Sequence, residues 1–158
     1  MKKTILVLLL SISLQAEGLF SQGQKNFGIT AGTSTGYGNT YTVVGASANY
    51  FVIDNLSVGA EYRGWFGESP TINEINIPIT YYVPTNSTYQ PYGGVTYKHT
   101  FIEEPYEDYN IYGVRAGVAM SLGPNSFMTI GWVQEFFDKT IDGDDSRGYP
   151  EISAGFSF

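Results

Sequence analysis

The sequence predicts an all-β protein, an eight-stranded antiparallel up-and-down transmembrane β-barrel that follows an N-terminal signal peptide. Three observations predict it. The final stretch, Tyr149 to Phe158, alternates. Ile152, Ala154, Phe156 and Phe158 share one face, and Glu151, Ser153, Gly155 and Ser157 share the other. A strand apolar on one side and small or polar on the other is half-buried. At the other end, Lys2 and Lys3 precede a short apolar run, Ile5 to Leu14, with small residues at Ala16, Gly18 and Ser21. That is the layout of a secretory signal, and the run falls short of the roughly 20 residues a membrane helix needs. Finally, 13 Tyr, 10 Phe and 19 Gly against only 15% charged residues favour strands and tight turns over helices. No apolar run beyond the signal is long enough for a spanning helix. A spanning barrel meets that pattern, because every second residue of its strands is polar.

The strands follow from period-two alternation and turn residues. The first is expected over Asn26 to Ser34, with Phe27, Ile29 and Ala31 opposed to Gly28, Thr30 and Gly32. Gly36 to Asn39 then turns the chain. Thr40 to Val52 sets Val44, Ala46, Ala48, Tyr50 and Val52 against Gly45, Ser47 and Asn49, and Asp54-Asn55 is a tight turn. Leu56 to Phe66 opposes Leu56, Val58, Ala60 and Tyr62 to Ser57, Gly59, Glu61 and Arg63. After Gly67 to Pro70, the strand Thr71 to Tyr82 opposes Ile75, Ile77, Ile79 and Tyr81 to Glu74, Asn76, Pro78 and Thr80. Pro84 to Ser87 turns into Tyr89 to Phe101, where Val95, Tyr97 and Phe101 face away from Gly94, Thr96, Lys98 and Thr100. An acidic loop leads to Asn110 to Leu122, in which Tyr112, Val114, Ala116, Val118 and Met120 oppose Gly113, Arg115, Gly117 and Ser121. Gly123-Pro124-Asn125 turns into Ser126 to Phe137, with Met128, Ile130, Trp132 and Phe136 against Thr129, Gly131 and Glu135. The alternating C-terminal stretch closes the set.

These lengths suit the roughly 9–11 residues that cross a bilayer at a tilt. Connections after the second, fourth and sixth strands carry compact turn residues, and those after the fifth and seventh look longer and charged. That is the expected asymmetry of short inner turns and longer outer loops. The chain reads as a signal peptide over 1–21, with cleavage after Gly18 or after Ser21 both fitting, and a single barrel domain over 22–158. Two aromatic girdles are expected. Phe27, Tyr50, Phe51, Tyr81, Tyr82, Tyr92, Phe127 and Phe158 form the inner one. Tyr41, Trp65, Phe66, Phe101, Tyr112, Phe136, Phe137 and Tyr149 form the outer one. With no Cys there is neither a lipoprotein anchor nor a disulfide. A net charge of −7 argues against nucleic acid as a partner.

The stretches Tyr50-Phe-Val-Ile-Asp-Asn-Leu-Ser-Val-Gly-Ala-Glu-Tyr62 and Pro91-Tyr-Gly-Gly-Val-Thr-Tyr97, with the closing strand, resemble the small OmpA/OmpX-type barrels of the porin-family β-barrel class. The resemblance covers 22–158. It implies residence in the bacterial outer membrane, lipid contact and a monomer. It also implies insertion by the barrel-assembly machinery through the C-terminal strand, with Phe156 and Phe158 as the assembly signal. The outer loops look shorter than those of adhesive members, and no peptidoglycan-binding domain is expected after the barrel, so neither role is carried over.

Chemistry is sought on the inward face and the rim. Glu61, Arg63, Glu74, Lys98, Arg115, Glu135 and Glu151 are expected inside. An eight-stranded barrel is just wide enough for side chains to fill, and buried charges must be paired. A salt-bridged plug is therefore the favoured reading and a small ion path the alternative. On the rim, Glu68, Glu103, Glu104, Glu107, Asp108, Asp138, Asp142, Asp144 and Asp145 face only Lys139 and Arg147. Divalent cations, which prefer oxygen ligands, are candidate partners there, with Asp142, Asp144 and Asp145 as the weak metal candidate. No catalytic residue and no cofactor is expected. Barrel enzymes of this size, the lipid A deacylases and palmitoyltransferases, need a His beside a Ser or a similar pair. The single histidine, His99, lies on the apolar face and is followed by Thr100. A soluble lipocalin-type barrel, with its apolar face inward, is the remaining alternative class.

Overall fold

The computed structural model describes residues 18–141 and 143–158. Its strands are β1 (Lys25–Gly36), β2 (Asn39–Ile53), β3 (Leu56–Phe66), β4 (Ile72–Tyr82), β5 (Tyr89–Ile102), β6 (Tyr109–Gly123), β7 (Ser126–Ile141) and β8 (Asp144–Ser157). All neighbours pair antiparallel in chain order, and β8 returns to β1, so the sheet is a closed barrel. We call the end where β1 begins and β8 finishes the inner end.

Alternation sets the two faces. Ile29, Tyr62, Ile75, Ile77, Ile79, Val95, Val114, Ile130, Trp132 and Ile152 are exposed on the outside. Glu61, Arg63, Glu74, Lys98, Glu135 and Glu151 are buried within. An apolar belt around a charged interior inverts a soluble protein and suits a lipid surround. It overturns the lipocalin-type alternative, which needs the apolar face inside.

Most strand limits lie within a residue or two of those expected. The exception is the last hairpin. The stretch Asp138 to Arg147, expected as a long loop, belongs largely to β7 and β8, which reach Ile141 and Asp144. The loop asymmetry fails too. The inner connection 83–88 is as long as the outer connection 103–108, while 142–143 alone joins β7 to β8. At the tight inner turn, Asn55 has φ 66°, a left-handed geometry that Asn tolerates.

Two prolines mark breaks in the ladder. Between β3 and β4 the pairing skips from Val58–Ile79 to Glu61–Asn76, around Pro78, which has no N–H to donate. The β1–β8 seam pairs only Asn26–Ala31 with Ile152–Ser157, ending before Pro150. Beyond β8, Lys25 and Phe158 exchange backbone hydrogen bonds of 3.0 Å each, so Phe158 extends the seam at the inner end.

The aromatic girdles divide by parity. Phe27, Tyr50, Tyr81, Phe66, Phe101, Tyr112 and Phe136 do face outward. Phe51, Tyr82, Tyr92 and Phe127 are buried inside at the inner end, and Tyr41 and Trp65 inside at the outer end. Phe137 packs against that outer cluster, and Tyr149 joins the interior polar network. These eight are not girdle residues. They share a strand face with the inward charges, and the expectation ignored that parity.

Candidate functional site

The interior is layered. At the outer end Tyr41, Val43, Trp65, Ile72, Ile102, Tyr109 and Ile111 form an apolar cap. At the inner end Phe51, Tyr82, Tyr92, Ala119 and Phe127 form another, completed by Phe20 from before the first strand. The charges lie between them.

Those charges form two clusters. In the first, the Arg63 guanidinium of β3 meets Glu61 at 2.8 Å and Glu151 of β8 at 2.5 Å. Arg115 of β6 meets the other oxygen of Glu151 at 2.5 Å. Asn76 donates to Glu61 at 2.9 Å, and Thr96 donates in turn to Asn76. In the second, Lys98 of β5 lies between Glu135 of β7 at 2.5 Å and Glu74 of β4 at 3.1 Å. Arg147 of β8 binds the remaining oxygens of the same carboxylates, at 2.7 and 3.3 Å. Tyr149 links the clusters, accepting from Arg63 at 2.9 Å and donating to Glu135 at 2.8 Å. Each cluster holds two carboxylates and two cations, so each is neutral.

All seven charges placed inside by the alternation rule meet in this network. Arg147 and Tyr149 were missed. The signal was present: counting back in twos from Glu151 gives Tyr149 and then Arg147. The Asp- and Gly-rich stretch before them read as loop and stopped the count. Backbone without side chains makes the room. A Cβ on Gly45 would stand 2.9 Å from the Arg63 side chain, and one on Gly131 would stand 2.3 Å from the Tyr92 hydroxyl. The cavities beside the two clusters are small. Cavities of about 20 Å³ near Arg63, Lys98 and Arg147, and about 30 Å³ near Glu61 and Arg115, each hold on the order of one or two waters. Among the described residues, the interior charges are paired, neutral in sum and capped at both ends.

The outer rim is different. Glu68, Glu103, Glu104, Glu107, Asp108, Asp138, Asp144 and Asp145 are all exposed. Several make local bonds: Glu103 accepts from the Thr71 N–H of the neighbouring β3–β4 connection at 3.2 Å, Asp108 from the Ile102 N–H at 3.0 Å and Asp145 from the Thr140 hydroxyl at 2.7 Å. Lys139 pairs with Glu107 at 3.1 Å. Arg147, counted with the rim from sequence, is withdrawn into the barrel, so the rim is more acidic than expected. Asp142 lies outside the described residues. Among the described residues, no group of three or more carboxylates and histidines is placed to hold a metal ion.

His99 faces outward. Its ring contacts Asn110 at 2.8 Å, Asp108 at 3.9 Å and the Phe101 ring. None of these is a hydroxyl or a thiol. At the inner end of the belt, the exposed Phe156 and the Phe27–Phe158 stack, with centroids 5.3 Å apart, present aromatic surface outward.

No protein-family model and no curated protein matches the chain. Solved structures do. The chain is similar to Neisserial surface protein A at 21% identity and TM-score 0.60, with 85% of this chain covering 94% of that one. It is similar to the N-terminal β-barrel domain of Pseudomonas aeruginosa OprF at 15% identity and TM-score 0.67, covering 87% and 98%. It is similar to Ail, the attachment invasion locus protein of Yersinia pestis, at 15% identity and TM-score 0.55, covering 87% and 99%. The fold is that of the small eight-stranded outer-membrane β-barrels.

Proposed function

We propose that the chain is a monomeric integral protein of the bacterial outer membrane. In this reading its barrel conducts nothing and serves to anchor an acidic outer rim. The observation that carries it is the interior: two neutral ion-pair clusters between apolar caps, with water-sized cavities of about 20 and 30 Å³ beside them. A conducting path needs continuous polar space, and burying charges in such a plug is tolerable only when they are paired. Single-channel recording in a planar bilayer tests this. The expected trace is flat, and a steady large current would establish the pore alternative. Nothing around His99 favours catalysis.

The rim is the surface left for contact. Its carboxylates outnumber its cations, so divalent cations are the partners it suits, and through them lipid phosphates. Hydrogen exchange of the 103–108 loop with and without millimolar calcium is the measurement. Slower exchange supports the reading, and unchanged exchange leaves a solvated, self-repelling rim. Phe156 and Phe158 are read as the signal for the assembly machinery. Deleting Phe158 should reduce insertion in cells more than stability in detergent, and normal insertion would remove that role.

A further inference from the structure

We propose that the chain is cut between Gly18 and Leu19, and that the freed N-terminal residues Leu19 and Phe20 are the stopper of the barrel's inner end. Phe20 precedes every strand, yet its side chain is buried. Its ring stacks on Tyr82 with centroids 4.2 Å apart at 8°, and meets Phe51 and Phe127 at 5.7 Å each. Leu19 packs against the same cluster. The backbone is held as firmly. The Ser157 hydroxyl donates to the Leu19 carbonyl at 2.9 Å, and the Asn55 N–H to the Phe20 carbonyl at 2.7 Å. The Gln22 N–H donates to the Asp54 carboxylate at 2.8 Å, and the Gly23 N–H to the Phe51 carbonyl at 2.9 Å. The segment is thus tied to the end of β8, the β2–β3 turn and the end of β2.

This separates two cleavage sites that the sequence leaves equal. A cut after Ser21 discards Phe20 and exposes Phe51, Tyr82 and Phe127 at the inner mouth. It also places the bulky Leu19 three residues into the leaving segment, where signal cleavage prefers a small side chain. A cut after Gly18 puts Gly18 and Ala16 at the two small-residue positions. The step is hydrolysis by an envelope signal peptidase. Water adds across the Gly18–Leu19 amide, leaving the Gly18 carboxylate on the released peptide and an ammonium on Leu19. That charge lies in an open inner mouth of about 540 Å³. The polar Asn86, Ser87, Thr88 and Gln90 line it, so the charge stays solvated. The cut removes the bond from the Ser21 N–H to the Gly18 carbonyl and keeps the four bonds named above.

Intact-mass measurement and N-terminal sequencing of the protein extracted from outer membranes test the cut. A chain beginning Leu-Phe-Ser-Gln is expected, and one beginning at Gln22, or left uncut, overturns the proposal. The stopper is tested with Phe20→Ala and Phe20→Trp, each first shown to insert by heat-modifiable gel mobility. In Phe20→Ala, amide exchange at Phe51 and Asn55 should rise about tenfold, as expected when local opening becomes easier. Phe20→Trp should stay near the original protein. Unchanged exchange in Phe20→Ala would show that the ring seals nothing. Neither readout depends on rim binding or conductance, so this inference and the functional reading fail separately.

Discussion

Carboxylates occupy two places in this molecule, and the two sets behave as different chemical populations. Inside, Glu61, Glu74, Glu135 and Glu151 are each bound by one or two cations, and the totals cancel. On the rim, the acidic residues are exposed, Lys139 forms an ion pair with Glu107, and several side chains accept from nearby backbone or hydroxyl groups. The difference follows from solvent. Water screens and hydrates the rim charges, so an excess of one sign costs little. The interior has no such reserve, so composition there is dictated charge by charge. Interior charges are therefore expected to matter for stability more than rim charges do.

Substitutions ranked by expected effect would break or sharpen this contrast. The largest is Glu135→Ala. It strips partners from Lys98, Arg147 and Tyr149 at once, and should cost about 3–5 kcal/mol in urea unfolding of the lipid-reconstituted barrel. A loss below about 1 kcal/mol would mean that water reaches the network and that interior and rim are not distinct. Arg147→Ala comes next. Its side chain is partly accessible and Lys98 still serves both carboxylates, so about 2 kcal/mol is expected. If the loss matched a rim substitution, Arg147 would belong with the rim after all. Smallest is Lys139→Ala, which removes an exposed pair with Glu107 and should change stability by less than about 1 kcal/mol. Raising salt toward 1 M, where the screening length falls to about 3 Å, should weaken any calcium effect on the rim and leave the Glu135→Ala penalty intact. Equal salt sensitivity at both places would erase the distinction.

The aromatic residues show where reading by sequence stops. Placing them by height along the strand put Phe51, Phe127 and Trp65 in membrane girdles. Height was right and direction was wrong, because direction follows the odd-even count already used for Arg63 and Asn49. The same count, carried past Tyr149, reaches Arg147. That error came from reading an Asp- and Gly-rich tract as loop when the two strands extend into it, pairing Glu135 with Arg147, Phe136 with Ser146 and, after a register shift, Ile141 with Asp144.

Local alternation by itself determined most strand limits and the side of the wall on which each of seven interior charges lies, because a strand has a fixed period of two and lipid rewards only one face. Three matters were decided by tertiary structure alone. Closure of the barrel chose which carboxylate meets which cation, since Glu74, Lys98, Glu135 and Arg147 come from four different strands. It converted inward aromatics into caps, by bringing rings from distant strands within contact. It also drew Phe20, which belongs to no strand, into the inner end. Pairing and packing across a closed wall depend on register and on which strand ends share a mouth, and no periodicity along one strand encodes either.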